Sequence, residues 1–293
     1  MEQLVLASEA LASGAVTRHQ LRSEYDKLHR DVYAPRGLEL TARHRAIAGW
    51  LWSRREAVLV GNSAAALLGT KWISADEPAE LGRSRFTSAR DIVVRSGAIA
   101  PDELCTARGI PCTTAPRTAY DVGRTMLPDK SIVRIDALLN ATRHDVADVE
   151  AIAGRYPKAR GIRRLRAALA LADGGAESPP ETRLRLLLVR SGLPRPTTQI
   201  PVADDHGRIV RRIDMGWPEW MVGVEYDGAQ HFTGPDDYAA DIERLEFLAH
   251  RGWLIVRVGG RHMRAPGVVA ERARRALLSR GWSPRLQKMT EIS

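Results

Sequence analysis

The stretch RRIDMGWPEWMVGVEYDGAQH, residues 211–231, decides how the chain is read. Residues 211–217 predict one strand, Pro218-Glu219 turns the chain, and residues 220–224 return it as a second strand. The apolar run then ends abruptly in Glu225-Tyr226-Asp227-Gly228. A carboxylate placed where a buried strand surfaces is costly unless something cationic meets it. If the two strands pair, Asp214, Glu225 and Asp227 converge, because facing positions on neighbouring strands lie about 5 Å apart. A cluster of hard carboxylate oxygens suits Mg²⁺ or Mn²⁺. The competing reading is an exposed strand end with solvated acids.

Around this hairpin the second part of the chain arranges itself. Asp173-Gly174-Gly175-Ala176 breaks the helical pattern and is the candidate boundary. Ser178-Pro179-Pro180-Glu181 opens a helix as a capping box with proline in its first turn, which accounts for Glu181 without any chemistry. A strand at 198–202 follows, then a turn at Asp204-Asp205-His206-Gly207 and the hairpin. A helix over 238–250, a buried strand over 252–258 and a last helix over 268–279 complete it. The order is helix, three strands, helix, strand, helix. Gly228 fits a turn that a side chain would block. His231 reads equally as a proton-transfer group near neutral pH or as a loop histidine bonded to backbone. Asp241 and Arg244, at i and i+3, are candidates to pair with each other.

The first part begins with apolar residues at helical spacing over 3–13, stopping at Gly14. Thr17-Arg18-His19-Gln20 is a T-x-x-Q capping box that opens a second helix, with Leu21 and Tyr25 inward. Residues 28–34 read as one strand, broken by Pro35-Arg36-Gly37. Helix, turn, helix and strand with a basic tip is the order of a winged helix-turn-helix over residues 1–40. In that reading Arg18, His19 and Arg22 face a DNA groove, and Arg30 and Arg36 sit on the wing. A small helical cap with solvated arginines fits the same pattern. Residues 41–173 predict a mixed α/β body dominated by helices at 41–56, from 116, at 131–142 and at 162–172. Short strands fall at 58–60 and 92–94, and Ser63 is expected to cap a helix over 64–68. It shows no acid–base pair and no phosphate loop; Arg117 is expected to pair with Asp121 at i and i+4.

The totals agree with a DNA partner. The 293 residues carry 44 Lys+Arg against 35 Asp+Glu, a net charge of +9, which favours a polyanion. Cys105 and Cys112 lie in a loop-like stretch without ligand spacing, against both zinc and a disulfide framework. No apolar run approaches 18 residues and the N-terminus lacks a basic leader pattern, so the expectation is a cytoplasmic chain with no membrane partner.

Two resemblances add to these readings. Residues 15–21 with Val32-Tyr33-Ala34 resemble the N-terminal domain of AbiEi-type antitoxins, and the similarity extends through Asn62-Ser63-Ala64-Ala65-Ala66-Leu67-Leu68-Gly69 and Gly109-Ile110-Pro111-Cys112-Thr113-Thr114-Ala115-Pro116-Arg117-Thr118, over roughly the first half of the chain. That resemblance implies duplex DNA as a partner, with a toxin or a second copy of the chain as further candidates. Arg212-Ile213-Asp214, Val224-Glu225-Tyr226-Asp227-Gly228 with His231, Asp241-Ile242-Glu243-Arg244-Leu245 and Arg251-Gly252-Trp253 resemble the very-short-patch repair endonuclease family of the PD-(D/E)XK superfamily. This implies a restriction-endonuclease-like mixed sheet flanked by helices over residues 177–293. Asp214 and Glu225 would hold the metal, Asp227 and His231 would assist, and Glu181 would project from the preceding helix. For Arg244 the alternative to pairing with Asp241 is contact with a DNA phosphate. The sequence departs from the superfamily at Asp227, which stands where a lysine is usual, and it shows no aromatic wedge for parting a mismatched duplex. The expected whole is an α/β chain that binds DNA and hydrolyses its phosphodiester bonds. The alternative is an antitoxin-type regulator with a degenerate nuclease fold.

Overall fold

The computed structural model describes residues 4–82, 87–228 and 235–284, of which 235–238 in backbone only. The chain divides into two compact units, Met1–Gly174 and Gly175–Ser293, so the seam falls within the Asp173-Gly174-Gly175-Ala176 break. The described residues form eleven α-helices and three sheets, which makes this a mixed α/β protein.

The first unit starts with β1 (Val5–Leu6), which runs directly into α1 (Ala7–Ala12). Then come α2 (Arg18–Ser23), β2 (Tyr25–His29) and β3 (Val32–Pro35). The three strands form an antiparallel sheet in the order β1-β3-β2. Thr17 caps α2 as the sequence predicts: its Oγ1 accepts from Gln20 N (3.1 Å) and Gln20 Oε1 accepts from Thr17 N (2.9 Å). Ala7, Ala10, Val16 and Leu21 pack into one small core with Tyr25 and Tyr33 against it.

Three expectations are corrected here. Residues 3–13 are not one helix, because Val5 and Leu6 pair with Tyr33 and Val32. Residues 28–34 are not one strand, because the chain reverses at Arg30-Asp31, with Asp31 left-handed at φ 67°. Tyr25 opens a strand rather than lying on the helix. Consequently Arg30 lies at the hairpin tip, whereas Arg36 follows Pro35, which pairs with Tyr25 at the hairpin's other end.

The rest of this unit is built on a five-stranded mixed sheet in the order β6-β5-β4-β8-β7. Its strands are β4 (Val58–Leu59), β5 (Ala79–Gly82), β6 (Ile92–Arg95), β7 (Leu104–Ala107) and β8 (Ile110–Thr113). The helices are α3 (Ala42–Trp52), α4 (Gly61–Leu67), α5 (Ala115–Thr125), α6 (Pro128–Thr142), α7 (Val146–Arg155) and α8 (Ile162–Leu169). Leu59, Leu81, Ile92 and Cys112 sit at the centre of the sheet's core. Ser63 is not a cap: α4 begins at Gly61, and Ser63 Oγ accepts from Glu80 N instead (2.8 Å). Cys105 and Cys112 are not in a loop either. They face each other across β7 and β8 as free thiols with Sγ atoms 3.5 Å apart. Arg117 donates to Asp121 (2.8 Å) as expected, and also to the fully buried Glu103 and to Ala98 O.

The second unit comprises α9 (Pro179–Arg190), β9 (Thr197–Ala203), β10 (Ile209–Trp217), β11 (Val222–Asp227), α10 (Pro235–His250), β12 (Leu254–Gly259) and α11 (Pro266–Ser279). The sheet order is β12-β11-β10-β9, with β11 and β12 parallel and the other pairs antiparallel. Leu184 and Leu188 of α9 and Val269, Ala273 and Leu277 of α11 pack on Met215, Val222, Val224 and Val258. Leu248 of α10 and Trp253 pack with Ile200, Val202 and Ile213. Each such buried aliphatic side chain contributes about 1.5–3 kcal/mol. Helices therefore cover both faces of the sheet, and this fixes where the strand ends emerge.

Candidate functional site

The turn between β10 and β11 is a 3-10 turn over Pro218–Trp220, ending at Met221 in the left-handed region (φ 51°). The two strands then pair as Trp217↔Val222, Gly216↔Gly223 and Met215↔Val224. Gly216 lets them approach, since a Cβ there would run into Val222 O and lie 2.8 Å from Gly223 Cα, while a Cβ on Gly223 would collide with the Ile255 and Ile213 side chains packed over it. The ladder ends at Met215↔Val224, and the next positions are Asp214 and Glu225. There a side chain takes over from the backbone, as Tyr226 N donates to Asp214 Oδ2 at 2.8 Å. The strand geometry thus brings the two acids together at the end of the hairpin.

Glu225 is 1% exposed. Its two oxygens accept from the two terminal nitrogens of Arg244 on α10, at 2.7 Å and 2.5 Å. Arg244 also reaches Arg212 O at 3.5 Å. Burial pushes the Glu225 carboxyl up to about 7; Arg244 pulls it down without cancelling that cost, and neighbouring Asp214 pushes it further up. Asp214 is raised as well, by burial first, with Glu177 and Asp227 adding to it and the Tyr226 N–H and Arg244 opposing.

Asp227 is held by Arg257 of β12 at 2.8 Å, and the same guanidinium donates to Asp241 of α10 at 2.6 Å. The parallel pairing places Arg257 beside Glu225. The expected Asp241–Arg244 pair is therefore replaced by two longer-range pairs, Asp241–Arg257 and Glu225–Arg244.

Glu181 behaves as a capping residue. Its carboxylate accepts from Ser178 Oγ (2.6 Å) and Glu177 N (2.9 Å), while Ser178 Oγ accepts from Glu181 N (3.4 Å). Burial nevertheless raises its carboxyl, and Asp214 and Glu177 add to the rise, so Glu181 shares the electrostatic neighbourhood of Asp214. Six acids (Glu177, Glu181, Asp214, Glu225, Asp227 and Asp241) lie around Arg244 and Arg257. Sequence reasoning missed Glu177 and Arg257. Arg257 left a signal, being a lone charge inside the apolar run Leu254-Ile255-Val256-Arg257-Val258. His231 lies outside the described residues.

A buried carboxylate is stabilised by a proton or by a cation. Asp214 and Glu225 supply the hard oxygens that a divalent metal takes, so their chemistry fits Mg²⁺ or Mn²⁺. Among the described residues no group of three or more His, Cys, Asp or Glu side chains is arranged to hold a metal ion. Both Glu225 oxygens are occupied by Arg244.

In the first unit Arg18, His19 and Arg22 are all exposed on α2, and Arg30 is exposed at the hairpin tip. Arg36 is also exposed but engaged, with Nε at 3.4 Å from Asp26 and a terminal nitrogen at 3.2 Å from Arg22 O.

No protein-family model matches the chain. It is similar to the uncharacterized proteins MT2308 and Rv2248 of two Mycobacterium tuberculosis strains, at 34% identity over 166 residues in each case. The match takes in 56% of this chain and spans 61% of each relative's length. No helix among the described residues is long and apolar enough to cross a membrane.

Proposed function

We propose that Gly175–Ser293 is a nuclease unit of the very-short-patch repair type within the PD-(D/E)XK superfamily, acting on DNA phosphodiester bonds. The observation that carries this reading is Glu225, a buried carboxylate set beside Asp214 where the β10–β11 ladder stops. The sheet order β12-β11-β10-β9, with helices on both faces, supports the corresponding fold. Asp214 and Glu225 would hold Mg²⁺ or Mn²⁺ once Arg244 releases Glu225, and such an ion supplies Lewis acidity and a more acidic bound water. Arg244, so released, is placed to take a phosphate oxygen. Asp227 and Asp241 keep Arg257 fixed, and Glu181 adds negative charge near Asp214.

The first unit would deliver this centre to double-stranded DNA. Two short helices followed by a β-hairpin, with Arg18, His19 and Arg22 exposed on the second helix and Arg30 at the hairpin tip, support a winged helix of the AbiEi-antitoxin type. The net charge of +9 supports a polyanionic partner.

A second reading is favoured by specific contacts. Asp227 stands at the usual lysine position and is tied to Arg257, and Glu225 is tied to Arg244. A regulator that binds DNA through a degenerate nuclease fold, alone or with a toxin or a second copy, would keep those ion pairs permanently. Metal-dependent cleavage by the wild type but not by Asp214→Ala or Glu225→Ala separates the two readings.

A further inference from the structure

The first unit contains a cavity of about 720 Å³ whose lining includes none of these residues, walled by Leu4, Val5, Ile47, Trp50, Leu51 and Ile110. Its volume lies in the range typical of small-molecule sites. Glu9, Arg55 and Arg108 belong to its lining. The body of the cavity is thus apolar and its charged groups sum to one positive charge.

The charges are arranged in a particular way. Arg55 takes the Glu9 carboxylate in a two-point fork, Nη1 to Oε1 at 2.5 Å and Nη2 to Oε2 at 2.7 Å. Arg55 also lies over the Trp50 ring, 5.9 Å from its centroid. It reaches this place through an unusual backbone, since Arg54 and Arg55 are successive non-glycine residues in the left-handed region, at φ 57° and 64°. Such conformations persist only where the surroundings over-determine them, and they concentrate at ligand clamps. Arg108, in the β7–β8 turn, is exposed and has no ion-pair partner among the described residues. The Trp50 indole N–H is closed off from solvent with no acceptor, a costly state for a donor.

We propose that this cavity binds an amphiphilic monocarboxylate of the fatty-acid class. The apolar body would fill the space beside Trp50 and Ile47, and the carboxylate would sit between Arg55 and Arg108. The Glu9 carboxylate marks the position that the ligand's head group takes, because guanidinium accepts any carboxylate in the same two-point geometry. Glu9 is then the internal competitor, and a ligand that displaces it frees α1 from the end of α3. This inference does not depend on the nuclease reading.

The test is calorimetric titration of the full chain with decanoate, and with decylamine as the charge control. One-site saturable binding of decanoate is expected, with no saturable binding of decylamine. Glu9→Gln should bind decanoate about five- to tenfold more tightly, and Arg55→Gln about tenfold more weakly, as expected for loss of a charge-assisted fork. Thermal melts establish that each variant is folded, and Glu9→Gln, a change at an exposed position, decides the matter if Arg55→Gln does not fold. Absence of saturable decanoate binding by both the wild type and Glu9→Gln would overturn the proposal. Equal binding of decylamine, or an unchanged affinity in folded Arg55→Gln, would overturn it as well.

Discussion

Arg244 holds both carboxylate oxygens of Glu225, at 2.7 Å and 2.5 Å, across 19 residues of sequence. The guanidinium neutralises a buried acid at the place where a nuclease would hold its metal. Removing it strands that charge. Arg244→Met should destabilise the protein by about 2 kcal/mol at pH 8, less than for a fully buried pair because Arg244 keeps some solvent contact. At pH 5, where Glu225 carries a proton, the loss should be much smaller. Urea unfolding at the two pH values measures it, and equal losses would contradict the pairing.

Glu225 itself gives the protein a pH dependence of known sign. Its carboxyl is raised in the folded state from about 4.5 to about 7. Its contribution to stability is therefore fully present below the unfolded value and is lost as pH rises through 7. The total is at most about 3 kcal/mol. Wild-type stability should fall between pH 4.5 and 8, and Glu225→Gln should flatten that fall. A variant whose slope matches wild type would show that Glu225 is not raised.

Arg117 and Glu103 form a deeply buried ion pair in the first unit, with side chains 6% and 0% exposed. Arg117→Met leaves Glu103 to Arg155, Tyr156 and the Ala100 N–H. The expected cost is about 3 kcal/mol, the lower end for breaking a buried pair. The double variant Arg117→Met/Glu103→Gln should recover part of it. Thermal melts of the three proteins test this, and additive losses would contradict the coupling.

The proposed DNA binding by the first unit predicts a graded response to salt. Arg18→Ala and Arg22→Ala should each weaken binding to any duplex and lower the slope of log K against log salt by about 1. Arg36→Ala should lower it less, because Arg36 is engaged with Asp26 and Arg22 O. Fluorescence anisotropy over a salt series measures these slopes. Unchanged slopes in Arg18→Ala and Arg22→Ala would exclude α2 as the contact.

The second unit's elements were legible because their signals are local. Pro218 and the apolar run 220–224 set the turn and β11, and the nearly continuous apolar run over 252–258 set β12. The first unit was less so. β1 is two residues long and exists only by pairing with β3, and the β2–β3 turn uses Asp31 at φ 67° where a glycine would have announced it. The hairpin of β7 and β8 was hidden by cysteines and a proline in short strands. At the candidate site Asp214, Glu225 and Asp227 were readable as acids at strand ends. Their partners were not, because Arg244 and Arg257 reach Glu225 and Asp227 only through the packing of α10 on the sheet and the pairing of β12 with β11. Spacing at i and i+3 suggested Asp241–Arg244, and tertiary contacts overrode it.

The central claim concerns Asp214 and Glu225 as the centre of a DNA-cleaving site. It is tested most directly by incubating supercoiled plasmid with the full chain in Mg²⁺ or Mn²⁺, beside Asp214→Ala, Glu225→Ala and an EDTA control. The account predicts nicked or linear products with the wild type, abolished by either substitution and by EDTA, while anisotropy shows DNA binding retained. Intact plasmid with the wild type in both metals, with binding retained, would contradict it.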